Sequence, residues 1–234
     1  MIKTNTPFRN DLQKYYTILY RTDSPSISQK MRLWVYDFGL HCVAIYRFGE
    51  NSQRLKKKSI MLALPFLVAY KVLDYLARII HHVTIDAASI GPGFYIGHTG
   101  NIIIGPVVIG NNCNLTHNVT IGVGHSKFKE GTPIIGDNVW IGTGSVISGA
   151  ITIGDSVTIS SGSIVTKSIP DRCLVAGNPA RVIGQDYNNS DLLVWHYGEI
   201  QDKYPAARRH FLRYILNNQQ FSFAFIRQNA DLYQ

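Results

Sequence analysis

The stretch IIGDNVWIGTGSVISGAITIGDSVTISSGSIV, residues 134–165, decides the fold. Every sixth residue from Ile135 is aliphatic and β-branched: Ile135, Ile141, Ile147, Ile153, Ile159 and Val165. Upstream, Ile103, Ile109, Leu115 and Ile121 form a second column, and Ile90, Ile96 and Ile102 a third, offset by one residue. A six-residue period is neither the 3.6 of a helix nor the alternation of an isolated strand. It suits a parallel β-helix, in which each short strand contributes one inward aliphatic residue and then turns, so that three hexads close one coil. Gly91, Gly97, Gly110, Gly122, Gly136, Gly142 and Gly154 follow the aliphatic step, as expected if the turns need residues tolerant of unusual φ. Between Ile121 and Ile135 the spacing is 14 residues, two more than two hexads, so a short loop should leave the coil there.

Working outward, the 234 residues are 45% hydrophobic and 16% charged, enough for a sizeable core and against a wholly disordered chain. A net charge of +8 makes an anionic partner plausible. No zinc finger, helix-turn-helix signature or aromatic RNA-binding motif accompanies that charge, which argues against nucleic acid. Cys42, Cys113 and Cys173 show neither CxxC nor Cys/His metal spacing, so no metal and no disulfide framework are expected. Together with an N-terminus lacking the apolar core of a secretory signal, this points to a cytoplasmic protein.

Residues 1–82 contain no hexads and show apolar residues at three and four spacing, so an N-terminal helical region is expected there, with the coil over 83–184 and a helical extension over 185–234. The fold class is then mainly β, a parallel β-helix between two helical flanks. The apolar stretch SIMLALPFLVAY, Ser59 to Tyr70, runs twelve residues before its first charge, too few to span a bilayer. Two readings stay open: a buried or subunit-facing helix, or an interfacial helix whose basic cluster Arg54, Lys56, Lys57 and Lys58 meets anionic headgroups at the inner face of a membrane. The tail carries Trp195, Tyr197, Arg208, Arg209 and Arg213, which suit packing against the coil or binding an acceptor.

The hexads IGNNCN, IGDNVW, IGTGSV and IGDSVT, ending in SIVTKSIPDRCLVAGNPARVIG, resemble the hexapeptide-repeat acyltransferases over about residues 85–184. The resemblance implies a left-handed winding, although parallel crossovers are generally right-handed. It also implies a homotrimer or dimer of trimers, acetyl-CoA as co-substrate, and active sites in the grooves between neighbouring coils. The helical region ahead of the coil is similar to the serine acetyltransferase subgroup.

Acetyl transfer to a hydroxyl needs a base for the attacking oxygen and a donor for the tetrahedral oxyanion. Histidine, whose ordinary pKa is about 6.5, suits the base. Of eight histidines, three lie in or beside the first half of the coil. His98, in YIGHTGNIIIG, matches the catalytic His of the resembled family best. His125, opening the break GVGHSKFKEGTP, is its rival, because some relatives carry the base on such a loop. His117, in NLTHNVTIG, is a third candidate one or two coils beyond His98. Asp86 is the nearest carboxylate to the family's orienting Asp, which an ungapped alignment places at Val83, and a His98/Asp86 dyad is one option. The family resemblance puts the CoA arm near Gly142, Thr143, Ser161 and Gly162, with Lys167 and Arg181 toward its phosphates. Lys127 and Lys129 are further cations near that break.

Two departures bear on the acceptor. Serine acetyltransferases carry Asp before the catalytic His, where this chain has Gly97, and a second His before the Pro that resumes the coil, where it has Thr132. On that basis the expected acceptor is a sugar hydroxyl of a bacterial surface polysaccharide (capsule, exopolysaccharide or lipopolysaccharide), with acidic and lipid-linked acceptors both open. Serine O-acetylation is the alternative, and a non-catalytic β-helix scaffold the alternative from another class.

Overall fold

The computed structural model describes residues 6–124 and 131–193. His125, Lys127, Lys129 and the aromatic and basic residues of the tail lie outside the described residues.

Four helices precede the coil: α1 (Pro7–Tyr20), α2 (Ile27–Tyr36), α3 (Phe38–Lys56) and α4 (Ile60–Ile80). Their starts follow from local chemistry. Pro7 occupies the first turn of α1, where no N–H is required. Ser26 and Gln29 form a reciprocal capping box on α2, and the Asp37 carboxylate accepts from Leu40 N at 2.7 Å at the head of α3. Burial holds Asp37 up at about 6 despite those bonds.

The coil makes five turns with three faces. The first face stacks β1 (Val83–Ile85), β4 (Ile102–Ile104), β7 (Thr120–Gly122), β10 (Val146–Ser148) and β13 (Ile164–Val165). The second stacks β2 (Ser89–Ile90), β5 (Val108–Ile109), β8 (Ile134–Ile135) and β11 (Thr152–Ile153). The third stacks β3 (Tyr95–Ile96), β6 (Asn114–Leu115), β9 (Trp140–Ile141), β12 (Thr158–Ile159) and β14 (Leu174–Gly177). Every pair is parallel except the closing one, where β15 (Ala180–Gly184) folds back antiparallel on β14. Among the described residues a short helix, α5 (Ser190–Leu193), follows.

The core is the narrow aliphatic column expected from the period, with Ile96, Ile121, Ile141, Ile147, Ile153 and Ile159 almost wholly buried. Three details differ from the sequence reading. Ile103 points outward and is 53% exposed, while Ile102 and Ile104 point in, because β4 is three residues long and alternates; the inward column therefore runs Ile85, Ile104, Ile121. Ile121 and Ile135 sit on consecutive strands, so the 14-residue spacing is one hexad with an eight-residue insertion rather than two hexads with two extra residues. The glycines after the aliphatic step are not chosen for φ. None of the seven has positive φ; the left-handed positions fall on Asn112, Asn138 and Ser156 instead. A Cβ on Gly110 would stand 2.6 Å from the carbonyl of Gly136 in the next coil, so glycine is required there for close stacking.

The same corner explains the recurring acidic residue. Asn111 N donates to Asp137 at 2.6 Å, Asp137 N to Asp155 at 2.7 Å and Asp155 N to Asp171 at 2.9 Å, so each carboxylate caps the turn one coil below it.

The helices dock on the first coil through buried polar contacts. Arg47 of α3 pairs with Asp11 of α1 at 2.7 Å and donates to the Ile90 and Gly91 carbonyls, and Asp11 accepts from Phe94 N at 2.8 Å. The Tyr15 hydroxyl bridges the N–H and carbonyl of Ile96. Lys14 donates to Gly93 O at 2.9 Å, and burial lowers its ammonium to about 7.

α4 differs from the expectation drawn from its first charge. It continues past Lys71 to Ile80, 21 residues in all, and is long and apolar enough, by length and composition only, to cross a bilayer. Within one chain only Ala63 and Ala77 of it are buried.

Candidate functional site

The coil has three corners per turn, and the placement of each candidate follows from which strands flank it. Corners that join the third face back to the first bring together six of the expected residues. His98 lies between β3 and β4, His117 between β6 and β7, Gly142 and Thr143 between β9 and β10, and Ser161 and Gly162 between β12 and β13. One column up the side of the coil thus carries two imidazoles at its base and small residues above them.

Backbone hydrogen bonds fix that column. Asn118 N donates to Gly100 O at 2.7 Å, Gly144 N to His117 O at 3.3 Å and Gly162 N to Thr143 O at 2.7 Å. The Thr116 and Thr143 hydroxyls are 2.9 Å apart. His98 and His117 are one coil apart, with ring centroids 6.0 Å from each other and edge-on at 69°. Both residues are exposed. Such a pair can accept a proton from a hydroxyl and hand it on.

Above the histidines the surface is shaped for a thin ligand. A Cβ on Gly142 would fall 2.5 Å from Ser161 N, so backbone packs against backbone there. Gly162, at φ +72°, would meet nothing within 4 Å, and Gly100 likewise opens on free space. Exposed backbone beside small residues is what a pantetheine-like chain can lie against.

The remaining candidates stand elsewhere in the single chain. Asp86 lies at a corner joining the first face to the second, and its carboxylate is bound by Arg78 at 2.5 Å. His98 and Asp86 therefore occupy different corners of one coil, and Asp86 already has a cationic partner. Lys167 follows β13 at the first-to-second corner, and Arg181 lies on β15 in the closing hairpin; both are exposed. Gly124 and Gly131, which pair in a bridge at that same first-to-second corner, flank the residues that include His125. Sequence reasoning gave no signal for Thr116, whose hydroxyl ties the His117 corner to Thr143.

Residues 132–167 match the family described as bacterial transferase hexapeptide (six repeats). Over these residues the chain is similar to the hexapeptide-repeat transferases. Its coil is the left-handed parallel β-helix that the hexads implied. Among relatives of this hexapeptide-repeat chain is serine acetyltransferase 1, chloroplastic, of Arabidopsis thaliana, 41% identical over 150 residues that make up 64% of this chain and 45% of that protein. The chain spans about half the length of the curated relatives it matches. Two solved structures are similar in fold. Serine acetyltransferase from Brucella abortus in complex with coenzyme A has a TM-score of 0.60 at 29% identity, covering 76% of this chain and 66% of that one. Serine acetyltransferase of Neisseria gonorrhoeae in complex with serine has a TM-score of 0.55 at 25% identity, covering 76% and 68%.

These likenesses overturn the polysaccharide acceptor expected from the sequence, since the relatives and structural neighbours are serine acetyltransferases. That expectation took the coil and His98 together with the loss of two serine-holding groups, at Gly97 and Thr132. Two side chains are a narrow basis for choosing an acceptor.

Proposed function

We propose that this chain is an acetyl-CoA-dependent serine O-acetyltransferase. Its likeness to serine acetyltransferases, one solved with coenzyme A and one with serine, supports both substrates. The observation that carries the reading is the single column in which the His98 and His117 rings lie beneath a run of small residues.

In this reading the pantetheine arm lies along Gly142, Thr143, Ser161 and Gly162, with its thioester toward the histidines. His98 removes the serine hydroxyl proton as the oxygen attacks the thioester carbonyl, a C–O bond forms, and the carbonyl π electrons become an oxyanion. Collapse of that intermediate re-forms the carbonyl, breaks the C–S bond and expels the CoA thiolate, which recovers the proton from the imidazolium. The ring of His117, one coil away, lies where it can position the acceptor or take the same proton. The working assembly in this reading is a homotrimer, in which a neighbouring copy closes the groove and brings its first-to-second corner, with Lys167, toward the CoA phosphates.

The test is product analysis. Purified chain incubated with acetyl-CoA and L-serine should yield O-acetyl-L-serine by mass spectrometry, with one thiol released per acetyl transferred. Bound CoA with no acetylserine formed would refute the acceptor, and no CoA binding by calorimetry would refute the enzyme.

A further inference from the structure

Most of the apolar surface of α4 has no partner among the described residues. Its packed side is a stripe of Ala63, Leu67, Tyr70, Asp74 and Ala77 at three and four spacing, laid on α3, where the Tyr70 ring covers Gly49. The rest of the circumference faces outward and, apart from Lys71, is apolar, with Met61 84% and Ile80 62% exposed and Phe66, Val68, Val72 and Tyr75 between them. A helix apolar on nearly all sides is ordinarily surrounded by protein or lipid.

The charges around it choose between those two. Arg54, Lys56, Lys57 and Lys58, all exposed, sit at the α3–α4 turn with no acidic residue from 51 to 73. Lys71 is the one charged residue of α4 on the outward side, since Asp74 and Arg78 bind each other at 2.9 Å. A second copy packed on this face would bury Lys71 in the centre of an apolar interface, where lysine is depleted. Against a bilayer the same lysine lays its stem on hydrocarbon and its ammonium among phosphates. At the far end of α4 the His81 ring stacks on Phe38 at 5.0 Å, and Phe38 and Tyr36 are exposed beside it, aromatic groups suited to the headgroup level.

Crossing the bilayer is excluded by α3. It runs alongside α4, with the Phe48 and Phe66 rings 6.4 Å apart, and carries the buried Arg47–Asp11 pair and Glu50. A spanning α4 would draw those ions into hydrocarbon. We propose that α4 lies flat on an anionic phospholipid surface, held by its outward apolar side and by the Arg54 to Lys58 cluster. This membrane seat is independent of the acceptor at the His98 column.

Co-sedimentation of the full chain with vesicles tests it. The chain should pellet with phosphatidylcholine vesicles containing phosphatidylglycerol, and much less with phosphatidylcholine alone. At about fivefold per basic residue, the triple variant Lys56→Gln/Lys57→Gln/Lys58→Gln should weaken partition about a hundredfold. Leu64→Gln/Val68→Gln/Val72→Gln should abolish it, with helical circular dichroism and CoA binding unchanged. Three results overturn the proposal: no binding to anionic vesicles; unchanged binding by both variants; or a lipid-free oligomer in light scattering that the Leu64 triple variant dissociates while vesicle binding stays the same. The last would assign the face to a second copy.

Discussion

Arg47→Met isolates the contact that seats the helices on the coil. The Arg47 side chain is 4% exposed and the Asp11 side chain 0%, and the pair is bidentate, Nε to Oδ2 at 2.7 Å and Nη2 to Oδ1 at 3.3 Å. The same guanidinium donates to Ile90 O at 2.7 Å, Gly91 O at 2.6 Å and Glu50 at 2.8 Å. Methionine keeps the volume and removes every one of these donors. The Asp11 carboxylate is then buried with Phe94 N as its remaining donor, and breaking such a pair costs about 3–5 kcal/mol. For a chain of this size that lowers the melting temperature by on the order of 10 °C. Urea unfolding followed by circular dichroism reads the loss. Because the cost comes from the stranded charge, Asp11→Asn/Arg47→Met should be more stable than Arg47→Met alone. A loss below about 1 kcal/mol, the range of an exposed pair, would refute the reasoning. So would a double variant no more stable than the single one.

Other expectations follow from single observations. Ile141→Ala should cost about 2–5 kcal/mol in urea unfolding, whereas Ile103→Ala should cost less than about 1 kcal/mol, because Ile141 in the aliphatic column is 1% exposed and Ile103 faces outward. Lys14, held near 7 when folded against 10.5 as its ordinary value, makes the folded state bind fewer protons than the unfolded one between those limits; stability should rise with pH across that window, by up to about 1.4 kcal/mol per pH unit, relative to Lys14→Met. Below pH 7 the difference between the two proteins should become flat. Gly97→Asp should lower KM for L-serine with little change in folding, since a Cβ there meets no atom nearer than Tyr95 Cε1 at 3.3 Å; steady-state kinetics with unchanged or raised KM would contradict it.

The β-branched column made the coil legible, because a period of six leaves few architectures that bury one residue per step. Its local geometry was less legible. Ile102, Ile103 and Ile104 are the same residue type, so composition could not say which one faces outward, whereas alternation along a three-residue strand could. The Gly110 position reads as a turn glycine until the next coil is stacked on it, since the steric reason lies 26 residues away at Gly136. His98 and His117 were both visible as candidates. Their meeting at 6.0 Å depended on the number of residues per turn, which the insertion after Ile121 obscures only further along. Asp86 was chosen by nearness in sequence, and the corner it occupies turns it toward Arg78. The exposure of α4 had a trace in its run of apolar residues and the basic cluster ahead of it, but only the packing of α3 along one stripe shows how much of that helix is left uncovered.

Turnover of L-serine by the wild-type chain beside His98→Ala tests the serine acetyltransferase assignment. Thiol release from acetyl-CoA should require L-serine and should fall by about 100-fold or more in His98→Ala, while CoA binding measured by calorimetry stays unchanged. Near-normal release by His98→Ala, or release that does not depend on L-serine, would contradict it.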